Sequence, residues 1–288
     1  MEIERTPTST QALSAETGLV QLAVEKLYRD GIAARRGAFS QAWVQNLRND
    51  IMKIFWESIQ RPGGAIGRGP RRWYVEVQPE MISGFVELTT HPWFLAMSEA
   101  VLGPDFEIVE IGFDIPFEGA QYQPWHRDFP SPKESYEERR ITSLAFNMTA
   151  VDVTAEMGPF EIALGTQWDD GRSWKHEMFP PRDLSPRFAE RAIRTFPKMG
   201  DLSCRSALTI HRGTAHASMV PRPVLVVGVD APGAGHAALH DMQVTKAFYE
   251  SLPDVLKKHL VCRVVEKPEP ITQKHDIEGL VMGVDKDY

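Results

Sequence analysis

FEIVEIGFDI (residues 106–115) is the first of five short runs that decide the fold class of this chain. Four more follow it: ITSLAFNMTAVDV (141–153), GPFEIALGT (158–166), LSCRSALTIH (202–211) and PVLVVGVD (223–230). Each run is rich in β-branched and aromatic residues, and turn-forming residues separate it from the next. Short strands at this spacing predict a β-sandwich or barrel.

The segments on either side of these runs have a different character. Residues 1–16 are rich in Thr, Ser and Glu and predict a flexible tail, whereas apolar residues recur at helical spacing through residues 17–60. Glycine and proline concentrate in RPGGAIGRGPRR (61–72), which predicts a loop before the strand-like WYVEVQ. Residues 241–262 return to helical spacing with one proline interruption. We therefore expect a mainly β core, over about residues 72–230, with flanking helices.

Length and composition limit the class of protein. The chain has 288 residues, 42% of them hydrophobic, and no linker divides residues 1–288, so we expect one domain. The formal net charge of −7, with dispersed basic residues, disfavours a nucleic-acid partner. The N-terminus lacks the basic and apolar regions of a secretory signal, and no segment approaches the ~20 apolar residues that cross a membrane. Two cysteines, Cys204 and Cys262, are too few for a disulfide framework, and a cytoplasmic location fits.

The segment QPWHRDFP (123–130) contains the first candidate metal ligands. His126 and Asp128 are two positions apart, so both side chains would project from the same face of an extended strand. A three-residue pattern of this kind recurs by chance, and a hydrogen-bonded pair without a metal would explain it equally well. The pair therefore gains weight only from residues elsewhere in the chain.

His211 is the second candidate imidazole. It closes the run RSALTIH, in which strand alternation would place Ala207 and Thr209 on its own face and Leu208 and Ile210 on the other. Two imidazoles and one carboxylate form the facial triad of non-haem iron(II) oxygenases, which leaves coordination positions open for oxidant and substrate. The sequence therefore predicts that His126, Asp128 and His211 bind one iron ion.

Arg222 follows His211 by eleven positions, at the start of the apolar run PVLVVGV. A guanidinium that points into a barrel from there could bind a carboxylate in bidentate fashion. The order HxD, an interval of about 85 residues, His and then Arg resembles the phytanoyl-CoA dioxygenase-like family of iron(II)/2-oxoglutarate oxygenases. The likeness extends over about residues 72–230, and it includes GPFEIALGTQ (158–167) and GDLSCRSALTIH (200–211).

The resemblance implies a double-stranded β-helix, or jelly roll, that uses Fe(II), 2-oxoglutarate and dioxygen. In relatives the arginine after the distal histidine anchors the 2-oxoglutarate tail, which gives that role to Arg222 here. Gln123 and Thr166 match positions that contact the co-substrate. Arg72 could match a basic residue that holds the co-substrate near the metal, although Arg68 and Arg71 compete for this assignment.

The predicted reaction is the oxidation, by default the hydroxylation, of an unactivated C–H bond in a small-molecule metabolite. Succinate and carbon dioxide would be formed from 2-oxoglutarate and dioxygen. Because the carboxylate ligand Asp128 is present, the halogenating relatives are disfavoured. Desaturation, epoxidation and rearrangement stay open, as do the substrate and a homodimeric state. Two alternatives also remain: a cupin-like metalloenzyme that does not use 2-oxoglutarate, and a non-catalytic binding barrel whose metal is structural.

Overall fold

The computed structural model describes residues 9–273, with side chains from residue 17 onward. Helix α1 (Ser9–Asp30) begins inside the stretch that the sequence predicts to be a flexible tail. Residues 9–16 lack proline and glycine and include the helix formers Gln, Ala, Leu and Glu, so the helix extends through them. The rest of the predicted tail, residues 1–8, lies outside the described residues.

A seven-stranded antiparallel sheet forms the larger layer of the molecule. Its spatial order is β1-β8-β5-β10-β4-β3-β2, so strands distant in the chain lie next to each other. The strands are β1 (Ile32–Arg35), β2 (Ile66–Gly67), β3 (Arg72–Glu76), β4 (Glu107–Pro116), β5 (Ser143–Thr149), β8 (Leu202–Ser206) and β10 (Val224–Asp230).

A smaller antiparallel sheet has the order β7-β6-β9. It consists of β6 (Phe160–Ala163), β7 (Ala192–Thr195) and β9 (His211–Gly213). One cavity is lined by residues of both sheets, which places the smaller sheet opposite the inner face of the larger one. A separate parallel pair joins β11 (Gln243–Thr245) to β12 (Arg263–Val265). The prediction of a mainly β core with flanking helices is confirmed.

Helices cover the outer face of the large sheet. Alternation along the strands turns Val75, Phe113, Phe146 and Val227 outward, into a buried core that also contains helical residues such as Phe94. The rings of Phe94 and Phe146 lie 4.2 Å apart. The remaining helices are α2 (Gln41–Ser58), α3 (Phe85–Thr89), α4 (Pro92–Leu102), α5 (Lys133–Glu138), α6 (Ser185–Arg191), α7 (Lys246–Ser251) and α8 (Asp254–His259).

Two segments differ from their sequence prediction. Residues 241–262, expected to be helical, contain β11 as well as α7 and α8, and Pro253 separates the two helices. The run LSCRSALTIH is not one strand, because β8 ends at Ser206 and β9 begins at His211, with a turn between them. No helix within residues 9–273 is both long enough and apolar enough to span a membrane.

Inward-facing side chains of the large sheet follow the period of two expected for strands. On β4, Asp114 lies beside Val224 of β10, and Glu110, two strand repeats further along, lies beside Gly228. Val224 and Gly228 continue in register to Thr149 and Ala145 of β5. The carboxylates of Asp114 and Glu110 therefore face the cavity.

Candidate metal centre and co-substrate pocket

The two sheets enclose a cavity of about 990 Å³. Its wall includes His126, Asp128 and His211, which are the three predicted ligands. Arg72 and Arg222 line the same cavity. The structure therefore brings the predicted metal ligands and three of the predicted co-substrate residues, Arg72, Gln123 and Arg222, into one space.

His126, Asp128 and His211 converge closely enough to share one ion. One ligand atom from each side chain lies within 4.8 Å of the others. Nε2 of His211 is 3.5 Å from Oδ1 of Asp128, and the two imidazole centroids are 4.4 Å apart. This donor set of two imidazoles and one carboxylate suits a ferrous ion.

The backbone that carries these ligands is irregular. His126 and His211 form an isolated antiparallel bridge in which each backbone N–H donates to the other's carbonyl, at 3.0 and 2.8 Å. The N–H of Asp128 donates to the carbonyl of Ala207 at 2.9 Å. The extended strand predicted for QPWHRDFP is therefore wrong, and the strand predicted through RSALTIH is interrupted by a turn before β9 begins at His211. The ligands meet because the two segments are bonded to each other.

Both imidazoles present Nε2 to the centre. Nδ1 of His126 is 2.9 Å from the carbonyl of Pro124, and Nδ1 of His211 is 2.9 Å from the carbonyl of Thr209. Because a carbonyl only accepts, Nδ1 carries the proton in each ring and Nε2 keeps its lone pair. Burial lowers the pKa of His126 to about 4 and lowers the pKa of His211 well below its usual value. Both rings are therefore neutral at pH 7, as a metal ligand must be.

Arg205 orients the carboxylate of Asp128. Its Nη1 donates to Oδ2 at 2.6 Å, which leaves Oδ1 facing the imidazoles. Burial alone would raise the pKa of Asp128, but the charge of Arg205 outweighs it and holds that pKa at about 2. Sequence reasoning missed Arg205, although a signal existed. It is the only charged residue in the buried strand LSCRS, and alternation with Leu202 and Cys204 turns it inward.

Arg222 and Arg72 bracket Asp114 at another part of the cavity. Their guanidinium groups lie 3.9 and 4.0 Å from the same oxygen of Asp114, and Nε of Arg222 donates to the carbonyl of Met157 at 3.0 Å. Burial and the charge of Arg72 lower the pKa of Arg222 to about 10, which leaves it charged at pH 7. Two cations share one carboxylate, so this part of the cavity keeps a positive charge for an incoming acid.

Gln123 and Gly213 position Arg72. The amide oxygen of Gln123 accepts a hydrogen bond from Nη1 of Arg72 at 2.5 Å and another from the backbone N–H of Gly213 at 2.9 Å. A Cβ at position 213 would overlap the guanidinium of Arg72. A glycine is therefore required for the guanidinium to lie across this strand.

Two other candidates lie outside the cavity. The hydroxyl of Thr166 donates to the carbonyl of Ala163 at 2.7 Å and accepts from the backbone N–H of Ile210 at 2.8 Å, so it stabilises the turn instead of reaching the cavity. Arg71 is exposed, and its Nε donates to the carbonyl of Glu118. Of the competing arginines, Arg72 and Arg68 line the cavity.

A second cluster of titratable residues, which the sequence analysis did not identify, includes residues of β3 and β4. The hydroxyl of Tyr74 donates to Oε1 of Glu110, and Nε2 of His240 is 3.8 Å from Oε2 of the same carboxylate. Nδ1 of His240 is 3.2 Å from Oε1 of Glu76. Burial lowers the pKa of His240, but Glu76 and Glu110 outweigh it, and the pKa lies above its usual value. These four residues form a connected network at the cavity wall.

Several solved structures resemble this one in fold. The epimerase SnoN in complex with Fe³⁺, alpha ketoglutarate and nogalamycin RO has a TM-score of 0.60 at 16% identity, over 93% of this chain and 98% of its own. EctD from S. alaskensis in its apoform has a TM-score of 0.58 at 16% identity, over 80% of each chain. AviO1 from Streptomyces viridochromogenes Tue57 scores 0.56 at 15% identity, over 74% of this chain and 96% of its own. These likenesses confirm the double-stranded β-helix.

The family is shown by the sequence of the core. No curated protein sequence matches the chain. Residues 27–224, well over half of the chain, match the family model of phytanoyl-CoA dioxygenase (PhyH). The chain therefore belongs to the phytanoyl-CoA dioxygenase family and is a non-haem iron oxygenase that uses 2-oxoglutarate and dioxygen.

Proposed function

We propose that this protein hydroxylates an unactivated C–H bond of a small-molecule metabolite. One observation carries the proposal: two neutral imidazoles and one ionised carboxylate converge in the same cavity as a pair of buried guanidinium groups. The first set suits a ferrous ion, and the second suits a dicarboxylate co-substrate. A metal site of another kind would not need the guanidinium pair, and a simple carboxylate-binding site would not need the metal ligands.

The iron-binding residues are His126, Asp128 and His211. They would supply three donor atoms to the iron, and because Arg205 holds the second oxygen of Asp128, that carboxylate would contribute a single oxygen. When bound, the iron supplies the redox chemistry with dioxygen and 2-oxoglutarate that generates the oxidant. The protein supplies the position of the ligands and the cavity between the two sheets.

The co-substrate residues are Arg222 and Arg72. Arg222 pairs with the far carboxylate of 2-oxoglutarate, and Arg72, fixed by Gln123, adds a second positive charge beside it. Asp114 limits the repulsion between the two guanidinium groups before the co-substrate binds. The two buried guanidinium groups favour this proposal over the cupin-like alternative, in which a buried arginine beside the cavity would be dispensable.

The cavity also has room for a substrate. Its volume of about 990 Å³ is at the upper end of ordinary small-molecule sites, which span roughly 300–1,000 Å³. Apolar side chains, among them Phe129, Phe160 and Val226, form part of the wall. A metabolite with an apolar portion therefore fits beside the co-substrate. Hydroxylation is the default outcome, since desaturation or epimerisation of the kind named for SnoN requires a particular substrate pose.

The test is a two-stage assay. Under anaerobic conditions the protein should bind one Fe(II) and one 2-oxoglutarate per chain, measured by metal analysis and calorimetry. On admission of air, succinate formation should rise when a substrate from a metabolite collection is present, and mass spectrometry should show a product heavier by one oxygen atom. A protein that binds iron but no 2-oxoglutarate would overturn the proposal in favour of the cupin-like alternative.

A further inference from the structure

Arg68 places a guanidinium on the cavity wall that neither the iron ligands nor the co-substrate residues account for. It follows β2, and its backbone N–H donates to the carbonyl of Arg72 at 2.9 Å, which closes the loop between β2 and β3. Its side chain lines the cavity. Arg71 belongs to the same loop, but it is exposed and bonds to the carbonyl of Glu118.

Tyr74 fixes where the guanidinium of Arg68 lies. The guanidinium carbon is 4.8 Å from the centroid of the Tyr74 ring, in the range of a cation–π contact. The ring itself is held because its hydroxyl donates to Glu110. Gly112 provides the space, since a Cβ there would approach the Tyr74 hydroxyl to 2.5 Å. Arg68 is therefore positioned by a built contact and is not a loose surface side chain.

The polar atoms of Arg68 lack acceptors. Among the described side chains, residues 17–273, no carboxylate lies within 4 Å of its guanidinium, and its buried Nε has no hydrogen-bond partner. The buried Nε atoms of Arg72 and Arg205 also lack a partner, but each of these side chains donates through another nitrogen, Arg72 to Gln123 and Arg205 to Asp128. Arg222 donates to the carbonyl of Met157, whereas no side-chain hydrogen bond within the described part of the chain holds Arg68. A buried N–H without an acceptor is costly, so the arrangement favours a ligand that supplies one.

The charge around the metal and co-substrate also favours an anion. Burial lowers the pKa of Arg72, and the charge of Arg68 lowers it further against the opposing effect of Asp114, so the two cations repel each other. Glu110 lines the same cavity, but its carboxylate is engaged by Tyr74 and His240. With a ferrous ion and dianionic 2-oxoglutarate bound, the charges of ion and co-substrate cancel, and the five charged residues assigned to them or paired with those residues carry a net charge of +1 before Arg68 is counted. They are Arg72, Asp114, Asp128, Arg205 and Arg222. A further anion would balance the charge of Arg68.

We propose that Arg68 binds a carboxylate group of the primary substrate, so the enzyme acts on an organic acid. This inference rests on the proposed function, because it assigns Arg72 and Arg222 to 2-oxoglutarate. A planar guanidinium accepts a carboxylate through two parallel hydrogen bonds, and the Tyr74 ring orients that plane. The apolar wall then receives the remainder of the acid. The competing source of a carboxylate is the co-substrate itself.

The experiment compares Arg68→Met and Arg68→Lys with the matched control Arg71→Met in the same loop. Each protein is loaded anaerobically with Fe(II) and 2-oxoglutarate, and acetate and its neutral isostere acetamide are titrated by calorimetry. We expect the wild type and Arg71→Met to bind acetate at least tenfold more tightly than acetamide. Arg68→Met should lose that preference, Arg68→Lys should keep part of it, and the affinity for 2-oxoglutarate should stay within about twofold in all four proteins.

Two results would overturn the inference. The first is a wild-type protein that shows no preference for acetate, or a preference that Arg68→Met retains. The second is a tenfold or larger loss of 2-oxoglutarate affinity in Arg68→Met, which would assign Arg68 to the co-substrate. Failure of the proposed function looks different, because the wild type would then not take up 2-oxoglutarate at the loading step.

Discussion

The co-substrate end and the metal end of the cavity are built in different ways. Arg72 and Asp114 lie on regular strands, and their positions follow from the register of a seven-stranded sheet. His126 and Asp128 lie on an irregular segment that meets His211 through one isolated bridge and a few backbone hydrogen bonds. The co-substrate end is therefore rigid by architecture, whereas the metal end depends on individual contacts. Substitutions should have different consequences at the two ends.

The largest effect is expected at the metal end. Asp128→Ala removes the only carboxylate among the three ligands and leaves Arg205 without its partner. We expect loss of stoichiometric iron and of turnover, measured by metal analysis and succinate formation. The affinity for 2-oxoglutarate should fall as well, because its keto acid end would have no metal to chelate. Unchanged turnover would remove Asp128 from the metal site.

Arg222→Ala tests the co-substrate end. Removing one member of a buried charge contact costs about 2 kcal/mol or more, which is roughly thirtyfold in affinity. We expect the 2-oxoglutarate requirement to rise by that factor while iron content stays at one per chain, since Arg222 does not contact the three ligands. Arg71→Met, an exposed residue, is the control. Loss of iron in Arg222→Ala would show that the two ends are not separable.

Arg205→Met tests how much the hydrogen bond from Arg205 to Asp128 contributes to iron binding. Asp128 would keep its position in the chain but lose the hydrogen bond that directs Oδ1 toward the imidazoles. Loss of such an outer partner typically costs about 10–100-fold in metal affinity or activity. We expect an iron affinity reduced by this factor, with 2-oxoglutarate saturation restored by added iron. An unchanged iron affinity would show that Asp128 needs no such support.

Gly213→Ala tests the regular end without removing any charge. The added methyl group would displace the guanidinium of Arg72 and break its hydrogen bond to Gln123. A hydrogen bond to a charged group contributes about 1.5 kcal/mol, so the 2-oxoglutarate requirement should rise about tenfold. Iron content and thermal stability are the internal controls. If Gly213→Ala does not fold, Arg72→Gln tests the same contact, and the 2-oxoglutarate requirement of that variant is measured instead.

The smallest effect concerns the network of Tyr74, Glu76, Glu110 and His240. Because the pKa of His240 is raised in the folded protein, its stabilising effect is complete below its ordinary pKa of 6.5. The effect is lost as the pH rises through the folded pKa. His240→Gln should therefore reduce the free energy of unfolding more at pH 6 than at pH 9, by on the order of 1 kcal/mol. Equal destabilisation at both pH values would contradict the assignment of a charged His240.

The same contrast explains what the sequence could and could not predict. Alternation in FEIVEIGFDI and PVLVVGVD predicted strands where β4 and β10 lie. Arg222 lies two residues before the first residue of β10, close to the predicted strand start. Alternation failed at RSALTIH, because a turn there carries the chain from one sheet to the other. His126, Asp128 and His211 nevertheless came together, through backbone bonds that no local pattern contains.

The missed residues are partners across long chain separations. Arg205 and Asp128 are 77 residues apart, and His240 and Glu76 are 164 apart. Thr166, a turn hydroxyl, was assigned to the co-substrate by resemblance, but the backbone of Ile210 uses its hydroxyl instead. Pairings of this kind depend on strand order, and the order β1-β8-β5-β10-β4-β3-β2 is not visible in sequence periodicity.

The most direct test of the account is anaerobic calorimetry of 2-oxoglutarate binding with and without Fe(II). The three metal ligands and the guanidinium groups of Arg72 and Arg222 lie in one cavity. We therefore expect one 2-oxoglutarate per chain, bound at least tenfold more tightly when iron is present. Asp128→Ala should abolish this coupling, and Arg222→Ala should weaken binding in both titrations. Binding of 2-oxoglutarate that is indifferent to iron would contradict the claim that the two sites share a single reaction centre.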